Sequence, residues 1–578
     1  MTNGKTNAAG SGQGHLLAEN GKTNYVIIVA DGGSASTKYA AEELKRFLGE
    51  MSGVEFPVTN DIGGVSSAEI VIGNNAHSKA LMPNLSFDKL GKEEFVIRSI
   101  GKHLLIAGGE PRGTLYGVYQ LLGDLGCRWF TRDVARVPKR DKLVAPSYEF
   151  TAEPALEYRE PFFREAFDPP WAARNRVNSS HSDLAKQYGG KVRYGKGAFV
   201  HTFDPLVPVA KYFATHPEYY SLIDGKRTDD HTQLCLTNPD VLKLVIEGVR
   251  KWIREDPEAT IFSVSQNDWY NPCQCDNCRA IDEREGSHSG TMLWFVNQVA
   301  DAIADESPHV AIDTLAYQFT RKPPKTLRPR PNVIVRLCSI ECCFAHPLES
   351  CPENATFADD IRGWSKICDR LYVWDYVTNF RSYLLPWPNF GVLGPNVRFY
   401  AKHNVVGLFE QGSYSSGGGG ELAELRAYVL AKLLWNPDTD QRTIENEFIE
   451  GVYGKAAKLI RQYVDLIHEP VKDPNAHMHI FCDVDNPHIV DDVIARGDAL
   501  LDEAESVAES TEVRERIEKA HLPIWYVRIR KMADDDPARK PLLDRFVAVA
   551  KRNGIVEMGE ARPLDRWVDT GARDPVTR

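Results

Sequence analysis

Carboxylates flanked by aromatic and amide residues recur at the ends of short apolar runs in this sequence. Gln266-Asn267-Asp268-Trp269 follows TIFSVS, Tyr317 follows VAIDTLA, and Glu341 comes after NVIVRLCS. Trp374-Asp375-Tyr376 ends RLYVWDY, Glu410-Gln411 ends VVGLFEQ, His201 lies in AFVHTF, and Arg159, Arg164 and Glu165 fall in and just after LEYREPFF. Aromatic faces stack on pyranose rings, and Arg, Asn and His bond hydroxyls, so the set suits a sugar. Cleaving a glycosidic bond takes one carboxyl that arrives protonated, plus a second group serving as base, nucleophile or orienter. Asp268, Glu341, Asp375 and Glu410 are the acidic candidates. Each alone reads as a helix N-cap or a salt-bridge partner, His201 alone as a structural histidine, and Trp374 alone as core. It is the set that points to a site.

The elements that must position these residues alternate. From Leu156 to about Pro437, apolar runs (LEYREPFFR, AFVHTF, TQLCLT, TIFSVSQ, VAIDTLAY, NVIVRLCS, RLYVWDY, VVGLFEQ) are separated by helical stretches such as PDVLKLVIEGVRKWIRE and GELAELRAYVLAKLLW. Eight strands in about 280 residues is the size of a (β/α)8 TIM barrel, whose active sites lie at the C-terminal strand ends. An open doubly wound sheet would carry a Gly-rich phosphate loop after its first strand, and none is present. Before the barrel, YVIIVADGG, TKYAAEELKRFLGEMSG, AEIVIGN and EEFVIRSIGKHLLIAGG predict strand, helix, strand and a hairpin turning at Gly101-Lys102. After it, three stretches repeat apolar residues at helical spacing. The expected fold class is therefore α/β, a TIM barrel with a small N-terminal α/β domain and a C-terminal helical domain. The expected organisation is a disordered leader at 1–24, an accessory domain at 25–150 with a linker near 145–155, a barrel at 151–437 and helices at 438–578.

At 578 residues, several packed units are expected. The net charge of −11 is spread along the chain rather than gathered in a basic face, which argues against nucleic acid. No apolar run is long enough to span a bilayer. The expected partner is a carbohydrate, glycan or glycoconjugate, with a homo-oligomer left open and no cofactor. Eleven cysteines, several in apolar segments, suit a reducing compartment. The leader lacks the apolar stretch of a secretory signal. The cytoplasm is expected, or secretion or the periplasm if a signal has been removed. Cys273, Cys275 and Cys278 follow the fourth run and have three readings: plain loop thiols, a disulfide, or a zinc site needing a fourth ligand such as His288 or Asp276.

Taken together, WAARNRVNS, HPEYYSLIDGKR, QLCLTNPD, NDWYNPCQCDNC, ECCFAHPL, YVWDYVTNF and FEQGSY resemble glycoside hydrolase family 163 over about residues 25 to 465. The N-terminal unit, with GTLYGVYQLL and CRWF, is similar to the accessory domain of families 20 and 67. The resemblance implies a retaining endo-β-N-acetylglucosaminidase acting on N-glycan-type substrates, with the substrate's own acetamide as nucleophile. It implies a general acid and an acetamide-orienting neighbour at the end of the fourth strand, where Asn267 and Asp268 stand. Family 20 holds an Asp-Glu pair there, so Glu341 or Glu410 is the alternative acid, with Asp268 orienting the acetamide. Tyr317 and Tyr376 would bond the acetamide oxygen, and Trp374 would floor the sugar, with Arg159, Arg164, His201, Trp269, Asp375 and Gln411 as further binding residues. The competing readings are an inverting α-glucuronidase-like enzyme, a non-catalytic glycan-binding protein, and a metal-dependent hydrolase using the cysteine cluster.

Overall fold

The computed structural model of the chain describes residues 14–573. The N-terminal unit contains β1 (His15–Glu19), β2 (Val26–Val29), α1 (Ala35–Ser52), β3 (Val58–Thr59), β4 (Glu69–Ile72), β5 (Phe95–Ile100), β6 (His103–Gly108), α2 (Gly113–Asp124), β7 (Lys142–Ala145) and β8 (Glu149–Ala152). Six of these strands form a mixed sheet in the order β8-β5-β6-β4-β2-β3, and β1 pairs with β7 in a separate antiparallel ribbon. The expected strand, helix, strand and hairpin are all present. Gly101 turns the hairpin at φ 58°, a left-handed value that glycine adopts without a Cβ clash. Ser34 caps α1 by accepting from the Thr37 amide.

Two expectations fail here. Residues 14–24 of the supposed leader are ordered, because β1 finds a partner in β7 and buries Leu17 completely; the rest of that leader lies outside the described residues. The supposed linker near 145–155 carries β8, which adds to the sheet beside β5.

The central unit holds β9 (Tyr158–Phe162), α3 (Pro239–Glu255), β10 (Ile261–Ser263), α4 (Asp276–Glu285), α5 (Ser289–Ala304), β11 (Ala311–Ala316), β12 (Val333–Cys338), α6 (Ala355–Trp364), β13 (Leu371–Tyr376), α7 (Phe390–Lys402), β14 (Val405–Gln411) and α8 (Ala423–Trp435). Its strands form one parallel sheet in the order β9-β14-β13-β12-β11-β10. Parallel strands are covered on both faces, which is why β11 and β12 are buried at every position.

The other two expected strands are not in that ladder. AFVHTF runs beside β10 without regular pairing, anchored by a single Tyr194–Ile261 bridge and by Ser263 and Thr202 amides donating across the gap. The cause is local. A Cβ at Gly195 would sit 2.2 Å from the Phe262 ring, Gly197 takes φ 74° and His201 takes φ 53°, so the backbone twice leaves the extended region. TQLCLT makes one antiparallel bridge to Tyr220 and serves instead as a clamp described below. The result is a half-barrel of six regular strands, completed by irregular chain.

Side chains alternate along each strand. Tyr158, Phe162, Tyr194, Ile261, Ala311, Ile334, Tyr372 and Phe409 fill the barrel interior. The fully buried Arg336 and Asp313 lie 2.8 Å apart within it, with the guanidinium 4.5 Å from the Phe199 ring centre. Val373 and Leu408, on the opposite parity, pack in the main core outside the barrel.

The C-terminal unit is helical as expected: α9 (Gln441–Tyr453), α10 (Ala457–Ile467), α11 (Asp491–Ser506), α12 (Thr511–Lys531) and α13 (Arg539–Arg552), followed by a short hairpin of β15 (Glu557–Gly559) and β16 (Arg562–Pro563). Among the described residues, no helix is long and apolar enough to cross a membrane.

Candidate active site

At the C-terminal ends of the parallel strands lies a cavity of about 330 Å³. His201, Asp268, Tyr317, Trp374, Tyr376 and Gln411 line it, as their places at strand ends lead one to expect.

Asp268 sits on the loop after β10. Gln233, in the TQLCLT segment, accepts from the Asn267 amide at 2.9 Å and donates to the Asn267 and Trp269 carbonyls at 2.9 and 2.6 Å. The Asn267 side chain is spent on the same clamp, donating to the Thr232 carbonyl and accepting from the Asp204 amide. Asn267 is buried and serves as a pin for the loop, not as a ligand-facing group, whereas Asp268 is exposed to the cavity. The Tyr317 hydroxyl donates to Asp268 Oδ1 at 3.1 Å and accepts from Gln318 Nε2 at 2.9 Å. Gln266 fixes Tyr317 by donating to its carbonyl at 3.2 Å. Burial and the Asp268 charge push the Tyr317 phenol above its ordinary range, so it stays a donor at neutral pH. His201 donates from Nδ1 to the Gln266 carbonyl at 2.8 Å, which turns its other nitrogen free of that bond. The Trp374 ring is oriented by Nε1 donating to Gln411 Oε1 at 2.8 Å.

The remaining predicted residues lie elsewhere. Glu410 and Asp375 point away from the cavity, between sheet and helices, because they have the opposite parity to Trp374 and Gln411. Asp375 accepts from Ser339 Oγ, Tyr400 Oη and its neighbour's amide. Burial, and then the Asp375 charge, drive the Glu410 carboxyl well above the carboxylate range. Glu341 is half exposed at the rim, paired with Arg321, and does not line the cavity. Arg159 is fully buried against Glu93, which it grips with two nitrogens, so it joins the barrel to the N-terminal unit. Arg164 and Glu165 line a separate cavity of about 390 Å³ with Glu424 and Lys519, where burial and Glu424 raise Glu165 to about 7. Trp269 is exposed near the mouth, its ring 4.3 Å from that of His231, but outside the cavity lining.

Sequence reasoning missed the far wall. Ile480, Phe481 and Glu560, all from the C-terminal unit, line the cavity with Phe380 and Tyr414. Glu560 is held by its amide donating to the Phe380 carbonyl and by Tyr414 Oη donating to Oε1 at 2.8 Å. Cavity-facing carboxylates are thus Asp268 and Glu560, from opposite units. Cys338 was findable from strand parity, in phase with Ile334 and Arg336; Tyr414 lies on the loop beyond the last strand, and Glu560 has no local signal.

The cysteine loop also departs from expectation. Cys273, Cys275 and Cys278 gather with Cys235, from TQLCLT, not with His288 or Asp276, which pair with Asp282 and Arg279. None of the four cysteines is in a disulfide.

Residues 129–465, more than half of the chain, match the family described as Domain of unknown function (DUF4838). The chain belongs to this family. In this DUF4838 protein, residues 16–121 also match the N-terminus of glycosyl hydrolase family 67, as the sequence resemblance implies. Among solved structures, a family 115 4-O-methyl-α-glucuronidase with specificity for decorated arabinogalactans aligns with a TM-score of 0.57 at 12% identity, covering 94% of this chain and 78% of its own. A family 89 glycoside hydrolase from Clostridium perfringens aligns with a TM-score of 0.46 at 11% identity, covering 89% of this chain and 65% of its own. No curated protein matches the chain. The family 67 match and the shared fold of the family 115 enzyme support a glycoside hydrolase.

Proposed function

We propose that this DUF4838 protein is a glycoside hydrolase in which Asp268 delivers the proton to the departing glycosidic oxygen. One observation carries the reading: Asp268 is the predicted acid that reaches the cavity, clamped by Gln233 and Asn267, bonded by Tyr317 and facing the aromatic wall of Trp374 and Tyr376. The Tyr317 hydroxyl would steady the carboxylate left after proton transfer. The lining includes no Lys or Arg, and its charged members are Asp268 and Glu560. A uronate would meet like charge there, so a neutral sugar is favoured. The sequence resemblance to family 163 supports the finer reading of a retaining β-N-acetylglucosaminidase that uses the substrate acetamide, with Tyr376 bonding it and Trp374 beneath the ring. The fold likeness to a glucuronidase supports the second reading, an α-glucuronidase-like enzyme.

A panel of aryl glycosides and a complex N-glycoprotein, with products read by mass spectrometry, separates the two. Release from β-N-acetylglucosaminides supports the first, and release from α-glucuronides replaces it with the second. Absence of turnover on every substrate, with glycan binding retained, would leave a binding protein.

A further inference from the structure

Two clusters of soft ligands flank the cavity, and neither takes part in the proposed hydrolysis. The first is Cys235, Cys273, Cys275 and Cys278; the second is Cys343, His346, Cys351 and His477. In each, the ligand atoms all lie within 4.8 Å of one another.

We propose that each cluster holds one structural zinc ion. Zinc takes four Cys or His ligands tetrahedrally, at about 2.3 Å for sulfur and about 2.0–2.1 Å for nitrogen, so ligand atoms on one ion stand about 3.8 Å (S···S) or about 3.6 Å (S···N) apart. The Cys235 and Cys275 sulfurs are 3.6 Å apart, far beyond the roughly 2.05 Å of a disulfide. Cys343 Sγ lies 3.6 Å from His346 Nδ1 and 3.3 Å from His477 Nδ1, and Cys351 Sγ lies 3.9 Å from His477 Nδ1. Tetrahedral S4 and S2N2 sets suit zinc.

The surroundings carry the same signature. His346 donates from Nε2 to the Val471 and Asp473 carbonyls at 3.0 and 3.2 Å, which puts the lone pair on Nδ1, toward the sulfurs. In the four-cysteine site, Cys273 Sγ accepts from the Leu222 amide at 3.4 Å and faces Arg227 Nη1 at 3.7 Å, donors that offset thiolate charge. Both sites are complete with protein ligands, leaving no open position for a substrate or water, so they act on structure. Each ties together segments far apart in sequence that form the cavity. One joins the TQLCLT clamp to the loop just after Asp268. The other joins the loop after β12 to the segment supplying Ile480 and Phe481.

The test is elemental analysis of the full-length protein, grown with added zinc and purified without chelator. Two zinc ions per chain are expected, falling by one in Cys278→Ser, by one in His477→Ala, and to none in the double variant. Less than half an ion per chain in the wild type overturns both sites. A value near one upholds the site whose variant loses it and overturns the other. Because either variant can misfold, wild-type protein reloaded with Co(II) gives a second readout. Intense tetrahedral d–d bands with thiolate charge-transfer absorption support the geometry, and weak octahedral bands overturn it. These readouts need no turnover, so they stand apart from the test of the hydrolase reading.

Discussion

The mouth of the barrel and the layer between its sheet and its helices both hold carboxylates at strand ends, and the two sets live under different physics. At the mouth, Asp268 meets solvent and a phenol that donates to it, on a loop fixed by amide side chains. Behind the sheet, Glu410 and Asp375 are buried near each other, and burial, then the Asp375 charge, drives the Glu410 carboxyl well above the carboxylate range. A carboxyl that faces a ligand-sized cavity can do chemistry; one buried between sheet and helices cannot reach a substrate. A raised pKa in a cleft points to function, but Glu410 has the shift without the cleft.

The largest effect that would break this comparison is on Asp268. Asp268→Asn should lower kcat/KM by about 10²–10⁴-fold, the usual scale for a lost general acid, with unchanged circular dichroism and melting temperature. A variant as active as the wild type would move the chemistry elsewhere, and Glu560→Gln is the next test.

The back of the sheet should answer in stability instead. Burial works to raise the Glu93 carboxyl, but the charges of Arg159 and Arg112 hold it down to about 2. Glu93→Ala leaves Arg159 buried without its partner, and breaking such a pair costs about 3–5 kcal/mol, measurable as a fall in urea midpoint. In the wild type, this contribution is present above the ordinary carboxylate pKa and is lost as pH falls toward 2.

Glu410 should show the opposite sign. Its folded pKa is raised, so its contribution is full below the unfolded value and declines as pH climbs toward the folded value, by up to about 1.4 kcal/mol per pH unit. Glu410→Gln removes that loss: its melting temperature should gain on the wild type as pH rises above about 5, while activity is retained. Parallel pH profiles for the two proteins would show that Glu410 does not carry the proton. The smallest effect belongs to Glu341. Its pair with Arg321 is half exposed, so Glu341→Gln should change stability by less than about 1 kcal/mol and leave kcat/KM within a few-fold.

Much of this was legible in the sequence. The N-terminal succession of strand, helix, strand and hairpin, the six buried strands and Asp268, Tyr317, Trp374 and Gln411 follow from apolar runs and from the rule that barrel sites lie at strand ends. Asp375 and Glu410 were misplaced because the end of a strand was read without its parity, although Trp374 and Gln411 beside them already showed which positions face inward. AFVHTF and TQLCLT look like strands by composition, but Gly197 just before the first and His201 within it take left-handed φ values, and the second gives its polar groups to the Asp268 loop. Cys235 and Glu560 could not be paired with their neighbours by spacing, since each arrives from a distant stretch of chain.

That last residue bears on how the protein comes into being. The last strand of the parallel sheet ends at Gln411, yet the cavity takes Phe481 and Glu560 into its wall from much later in the chain. In synthesis from the N-terminus, the strands that floor the cavity therefore emerge well before its far wall, which is in place only when the hairpin carrying Glu560 reaches Phe380 and Tyr414.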